Sequence, residues 1–201
     1  MNRMKSVLIS IQPKWCELIA SGKKTIEVRK TRPKLDVPFK CYIYCTSSNV
    51  HECLMLNRSG ATLIHSINYK KAIPCGGYIG NGKVIGEFVC DHIMRHCEMA
   101  NADIAEQQSR VKREEILEYA NGKEVYGWHI SNLVIYDKPR ELGEFYTICK
   151  LNCEYCEMWG SVRVNAEEFD MDCKSDWFNH KPLTRPPQSW CYVEEIRSDT
   201  E

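Results

Sequence analysis

The chain has 201 residues, 43% hydrophobic and 27% charged, with 27 basic and 27 acidic side chains and a formal net charge of zero. That composition belongs to a folded globular protein of one domain, or one domain with a small appendage, and excludes a disordered polyelectrolyte. It also argues against a protein that coats nucleic acid through bulk charge, although the charge is unevenly spread.

Residues 1–50 hold ten Lys or Arg against three acids (+7), whereas residues 151–201 hold five against eleven (−6). Either one face attracts anions or a basic face packs on an acidic one. No stretch approaches the roughly 20 apolar residues of a membrane span. The polar start followed by a short apolar run does not read as a secretory leader. With 12 cysteines, the expectation is a reducing cytoplasm and free thiols packed as small hydrophobes.

In chain order, "SVLISI" reads as a first strand. "QPKWCELIASG" reads as a short helix, with Pro13 at its start and Gly22 at its C-terminal cap. Trp15, Leu18 and Ile19 share one side of it. "KTIEVRK" alternates, which puts Thr25, Glu27 and Arg29 on one face and Lys24, Ile26, Val28 and Lys30 on the other. "RPKLDVP" is a turn. "FKCYIYCT" is a strand with Cys41, Ile43 and Cys45 on one face. Residues 47–78 give no clear pattern beyond a short helix near Tyr69 and the loop "IPCGG".

"GKVIGEFVCDHIMRH" predicts a strand, or a strand pair bent near Gly86. Residues 102–119 predict one polar helix stopped by "NG", and "YGWHISNLVIYDKPREL" predicts another strand. "SWCYVEEI" closes the chain as a last strand behind a double proline. The sum is a mixed, mainly β fold: a small, mostly antiparallel barrel whose first and last strands pair, with helices at its rim. It reads as a single domain over 1–201 with an irregular acidic insertion at about 151–181.

Phosphate loops, dinucleotide fingerprints, "HExxH" and nucleophile elbows are all missing from the sequence. Cys153 and Cys156 have the spacing zinc ligands favour, and Cys173 or His180 would complete a set. Without a second paired knuckle, free thiols are the expectation and no cofactor or metal is assigned.

"GKKTIEVRK", with "PFKCYIYCT", "GKVIGEFVCD", "YGWHISNLVIYDKP" and "LTRPPQSWCYVEEI", resembles the ASCH domain family. The resemblance implies a PUA-like β-barrel with a cleft beside the N-terminal helix that holds RNA or a nucleotide-like ligand. One branch of the family is similar to amidohydrolases that deacetylate N4-acetylcytidine. In that branch the motif lysine, matched by Lys24, is nucleophile or base, and the following arginine is matched by Arg29. The assisting threonine of that branch is replaced by Glu27, whose carboxylate favours a charged Lys24. Another branch is ribonuclease-like.

Candidate catalytic residues are therefore Lys24, Glu27 and His129, the last for its accessible pKa range. Strand alternation sets Glu27 opposite Lys24 and argues against a direct pair. Candidate ligand-binding residues are Lys14, Trp15, Lys23, Thr25, Arg29 and Lys30 around the motif, with Trp128, Ser189 and Trp190 on later strands. Arg29 suits bidentate phosphate binding, and the tryptophans suit base stacking. Against this stand solvated lysines and core aromatics.

The preferred expectation is an RNA- or nucleotide-binding module with a basic cleft. The alternative is a nucleoside- or RNA-directed hydrolase using Lys24 with Glu27. A membrane or double-stranded DNA partner is not expected. A third reading has the acidic 151–201 region contacting another protein.

Overall fold

A computed structural model describes residues 5–47, 52–58, 60–65, 77–95, 102–148 and 181–196. The 151–181 insertion, all but its last residue, falls outside them, as do the cysteines at 153, 156 and 173 and the helix expected near Tyr69. Among the described residues the fold is mainly β, in three sheets.

The largest sheet has the order β10-β7-β3-β1-β11, with β1 at Lys5–Ile11, β3 at Phe39–Cys45, β7 at Lys83–Cys90, β10 at Ser131–Arg140 and β11 at Trp190–Glu194. β1 pairs with β11 in antiparallel register (Val7 opposite Tyr192), so first and last strands join as expected. β1 runs parallel to β3, and every other pairing is antiparallel. β10 and β11 stand at opposite edges, so the described pairing leaves this sheet open, with no barrel closure.

Strand periodicity divides the core. Val7, Ile9 and Ile11 join Cys41, Ile43 and Cys45 on one face, under Cys16 and Ile19 of α1 (Pro13–Ala20). Leu8, Tyr42, Tyr44 and Val193 form the other face around Phe145. Each such aliphatic side chain, fully buried, is worth about 1.5–3 kcal/mol. The six described cysteines, at 16, 41, 45, 53, 90 and 191, are free thiols, and burial pushes those at 16 and 41 well above their usual pKa.

Two smaller sheets flank this one. β4 (Glu52–Asn57), β5 (Gly60–His65) and β6 (Tyr78–Ile79) make a sheet on which α1 packs, in a region without a clear residue pattern. The reason is visible in Cys53, Leu54, Met55 and Leu56, all buried: a strand covered on both faces loses the alternation that betrays strands.

The third sheet has the order β2-β9-β8, with β2 at Ile26–Arg29, β9 at Tyr126–His129 and β8 at Ile93–Arg95. The single strand expected from Tyr126 onward is thus two strands in different sheets, parted at Ile130. "GKVIGEFVCDHIMRH" likewise holds two strands, β7 and β8, parted at Asp91–His92. Gly86 lies beside the register shifts that β7 makes with β3 and β10, where the bend was expected.

The helix expected over 102–119 is two helices, α2 (Ala102–Ser109) and α3 (Arg113–Ala120). Arg110 adopts a left-handed φ of 58° between them, and its Nε donates to the Lys23 carbonyl at 2.7 Å. Ala105, Ile116, Ala120 and Val125 pack under Val28 and Met94, holding α2 and α3 on the outer face of the β2 sheet.

Candidate functional site

α1 ends where the sequence said it would. Gly22, at φ 72°, donates its N–H to the Ile19 carbonyl at 2.8 Å, and Lys24 donates its N–H to Leu18 at 2.9 Å. The chain therefore reaches β2 by a fixed path. Lys24 precedes the first paired strand residue, Ile26, so strand alternation does not govern its side chain. It turns to the same side as Glu27, and the two groups the alternation set apart meet at 3.3 Å.

Glu27 also meets Arg29, its Oε1 lying 3.0 Å from Nη2. Arg29 Nη2 donates to the Ser10 carbonyl at 2.6 Å, and Lys24 Nζ donates to the Ser109 carbonyl at 2.6 Å. The break after α2 is what leaves the Ser109 carbonyl available for that bond. The Lys24 ammonium lies 5.1 Å from the centre of the Trp15 ring as well. Lys24, Glu27 and Arg29 are 2%, 6% and 9% exposed. Burial lowers the Lys24 pKa from the ordinary 10.5, and the Glu27 carboxylate partly restores it.

A buried cation–carboxylate–cation chain costs desolvation that its internal attraction barely repays, so it is a poor device for stability and a common one at functional sites. It forms the floor of a cleft of about 710 Å3. Trp15 of α1, Tyr44 at the end of β3 and Tyr119 of α3 supply aromatic surface, and Gln12, Ser47 and Gln188 add polar groups. The Ser10 hydroxyl donates to the Pro187 carbonyl at 2.6 Å, tying the double-proline segment to the cleft wall.

The lining does not form a basic surface: Lys24 and Arg29 are balanced by Glu27 and Glu115. Lys14, Lys23 and Lys30 are exposed and lie outside it. Thr25 serves through its backbone, donating to Gln108 at 2.9 Å and accepting from Ile130 at 2.8 Å. Trp128 is fully buried in the core, edge-on to Phe39 and tilted against Trp190, with ring centres 5.9 Å apart in both cases. Trp190 gives its indole N–H to the Thr31 hydroxyl at 2.9 Å, and the Ser189 carbonyl accepts from the Ser10 N–H at 2.9 Å.

His129 is placed elsewhere: its Nδ1 lies 2.6 Å from Asp91 at the surface, and neither residue lines the cleft. The site thus gathers Trp15, Lys24, Glu27 and Arg29 from the expected set. Tyr44, Tyr119, Ser109 and Glu115 were missed. Tyr44 belongs to a strand read as core, and the α3 residues reach the site only through the helix break. Among the described residues no cluster of His, Cys, Asp and Glu could hold a metal ion. No helix among them is long and apolar enough to cross a membrane.

Fold and site together define a mainly β protein with an aromatic-walled cleft floored by a buried lysine–glutamate–arginine chain. The ASCH domain family model matches residues 9–140, and the chain belongs to the ASCH domain family. It is similar to the crystal structure of ASCH from Zymomonas mobilis, at 15% identity over 94% of this chain and 88% of that one, with a TM-score of 0.45. A single-site variant from the same organism aligns at 17% identity over 69% of this chain and 77% of that one, with a TM-score of 0.47. No curated protein sequence matches the chain.

Proposed function

We propose that the cleft binds one nucleobase unit, as part of an RNA or of a nucleotide-like small molecule. The observation that carries this reading is the cleft itself: about 710 Å3, with Trp15, Tyr44 and Tyr119 around a buried set of hydrogen-bonding charges. That volume lies within the range of small-molecule sites, and aromatic walls suit the π-face of any base. Lys24 and Arg29 offer donors, and Glu27 an acceptor, for a base edge or its substituents. The family's PUA-like fold, commonly RNA-binding, points the same way.

A second reading, hydrolysis of an amide on a nucleobase, is favoured by one observation. Lys24 has its pKa lowered by burial and stands 3.3 Å from Glu27, an arrangement suited to a nucleophile or base with a carboxylate to take up and return its proton. The Ser109 carbonyl opposes this, because the hydrogen bond it accepts from Lys24 Nζ favours the charged ammonium.

The test is incubation of the protein with modified nucleosides, N4-acetylcytidine among them, and with short RNAs, read by mass for retention and for turnover. Retention without mass change supports binding alone. Loss of the acyl group, abolished in Lys24→Met, supports the hydrolase. Neither retention nor turnover for any member refutes both.

A further inference from the structure

The Arg29 guanidinium is held from a part of the chain remote from its own strand. Ser10, 7% exposed near the end of β1, uses all three of its polar groups in that hold. Its carbonyl accepts from Arg29 Nη2 at 2.6 Å, its N–H donates to the Ser189 carbonyl at 2.9 Å, and its hydroxyl donates to the Pro187 carbonyl at 2.6 Å. The hydroxyl has a reason to be there. The register of β1 with β11 ends at Ile9 opposite Trp190, and Pro186 and Pro187 have no N–H with which to carry the ladder on. The Ser10 side chain supplies a further bond in its place. The same segment grips the chain just past β2: Trp190 donates its indole N–H to the Thr31 hydroxyl at 2.9 Å, and the Tyr192 hydroxyl accepts from the Lys34 N–H at 2.7 Å.

We propose that residues 186–192 form a strap that positions Arg29, with Ser10 as the positioning residue. The strap holds β2 at Arg29, through Ser10, and again just beyond the strand, at Thr31 and Lys34. Arg29 in turn shares the Glu27 carboxylate with Lys24, at 3.0 and 3.3 Å, so slack in the strap passes to the whole buried chain of charges. Pro186, Pro187 and Gln188 also line the cleft. A segment that is both wall and anchor couples whatever touches the wall to the charges of the floor. The strap lies beyond residues 9–140, the part that the family model matches, so this hold comes from the C-terminal part of the chain. Its effect on affinity rests on the nucleobase reading above; its hold on Arg29 needs no ligand.

The experiment follows hydrogen exchange at Arg29 Nε in the full chain by nitrogen-edited proton NMR, the signal being assigned by its loss in Arg29→Lys. That atom is sealed from water, so its proton exchanges slowly while the guanidinium stays in place. Ser10→Ala removes the hydroxyl and leaves the carbonyl, and Thr31→Val removes the indole's acceptor at an exposed position. Each is expected to speed the exchange about three- to ten-fold and to weaken binding of the four ribonucleosides by a similar factor. Ser10→Thr, which restores the hydroxyl, should recover both. Val193→Ala, a buried deletion on the same strand, should lower the melting temperature and leave the Arg29 signal alone. Unchanged exchange in folded Ser10→Ala overturns the strap, as does equal acceleration in Val193→Ala or a Ser10→Thr protein that behaves like Ser10→Ala. Should Ser10→Ala not fold, Thr31→Val decides in the same way. Accelerated exchange in a protein that binds no member of the nucleoside and RNA panel keeps the strap and overturns the nucleobase reading.

Discussion

Replacing Glu27 with Gln removes the carboxylate that both buried cations share. The carboxylate neutralises two cations at once, with Lys24 Nζ at 3.3 Å and Arg29 Nη2 at 3.0 Å. All three side chains are nearly sealed from water, at 2% exposure for Lys24, 8% for Glu27 and 11% for Arg29. Gln is close in shape, but its amide can accept from only one of the two cations and presents N–H groups to the other. Removing one partner from a buried ionic set costs about 3–5 kcal/mol, and that is the loss expected in urea unfolding at pH 7.

The loss should also depend on pH, with a definite sign. The Lys24 pKa is already lowered from 10.5 by burial, with Glu27 the influence that raises it. Without Glu27 it falls further. Folded protein then holds fewer protons than unfolded between that pKa and 10.5, so stability rises with pH through the window. The variant enters the window at a lower pH than the wild type, and its deficit should shrink as pH rises from 7 towards 10. Arg29 stays charged, so part of the deficit persists. A deficit under about 1 kcal/mol at pH 7, or one that grows with pH, would refute the account of these charges.

Other substitutions separate site from scaffold. Gly86→Ala places a Cβ against the Val134 carbonyl oxygen of β10; a loss of about 1–3 kcal/mol in unfolding free energy is expected, with cleft binding preserved in the folded fraction. Trp128→Ala should cost about 3–5 kcal/mol by chemical denaturation, as core loss and not ligand loss. His129→Ala should leave nucleoside affinity unchanged. It should also return the Asp91 pKa, lowered chiefly by the hydrogen bond to His129, towards 3.8 as followed by carboxyl carbon NMR. Arg29→Lys retains the charge, but its shorter side chain falls short of the Nη2 position from which Arg29 meets both Glu27 and the Ser10 carbonyl, so nucleoside affinity should fall about ten-fold.

Much of the frame was legible because short-range chemistry writes it. Pro13 and Gly22 bracket α1, and the apolar alternation of β3 puts Cys41, Ile43 and Cys45 on one face. The pairing of β1 with β11 followed from their pattern and position. What was not legible is set by packing. β4 carries no alternation because Cys53, Leu54, Met55 and Leu56 are all buried. The helix break rests on Arg110 in a left-handed conformation, one that no Gly or Asn announced.

The site shows the same division. The charges of "GKKTIEVRK" were visible, but alternation was extended two residues too far, to a lysine lying before the strand. Lys24 therefore joins Glu27 where the pattern parted them. Trp128, Ser189 and Trp190 looked available by composition. They are held by the core or by hydrogen bonds instead, and only the fold decides such a matter. Tyr119 carried no signal beyond being an aromatic on a polar helix.

A nucleobase seated in the cleft floored by Lys24, Glu27 and Arg29 would lie against its aromatic walls. Photocrosslinking with short RNAs containing 4-thiouridine, followed by mass-spectrometric mapping of the modified residue, tests it most directly. Adducts are expected at Trp15, Tyr44 or Tyr119, suppressed by competing nucleoside. Adducts concentrated at the Asp91–His129 surface, with none on the cleft walls, would contradict it.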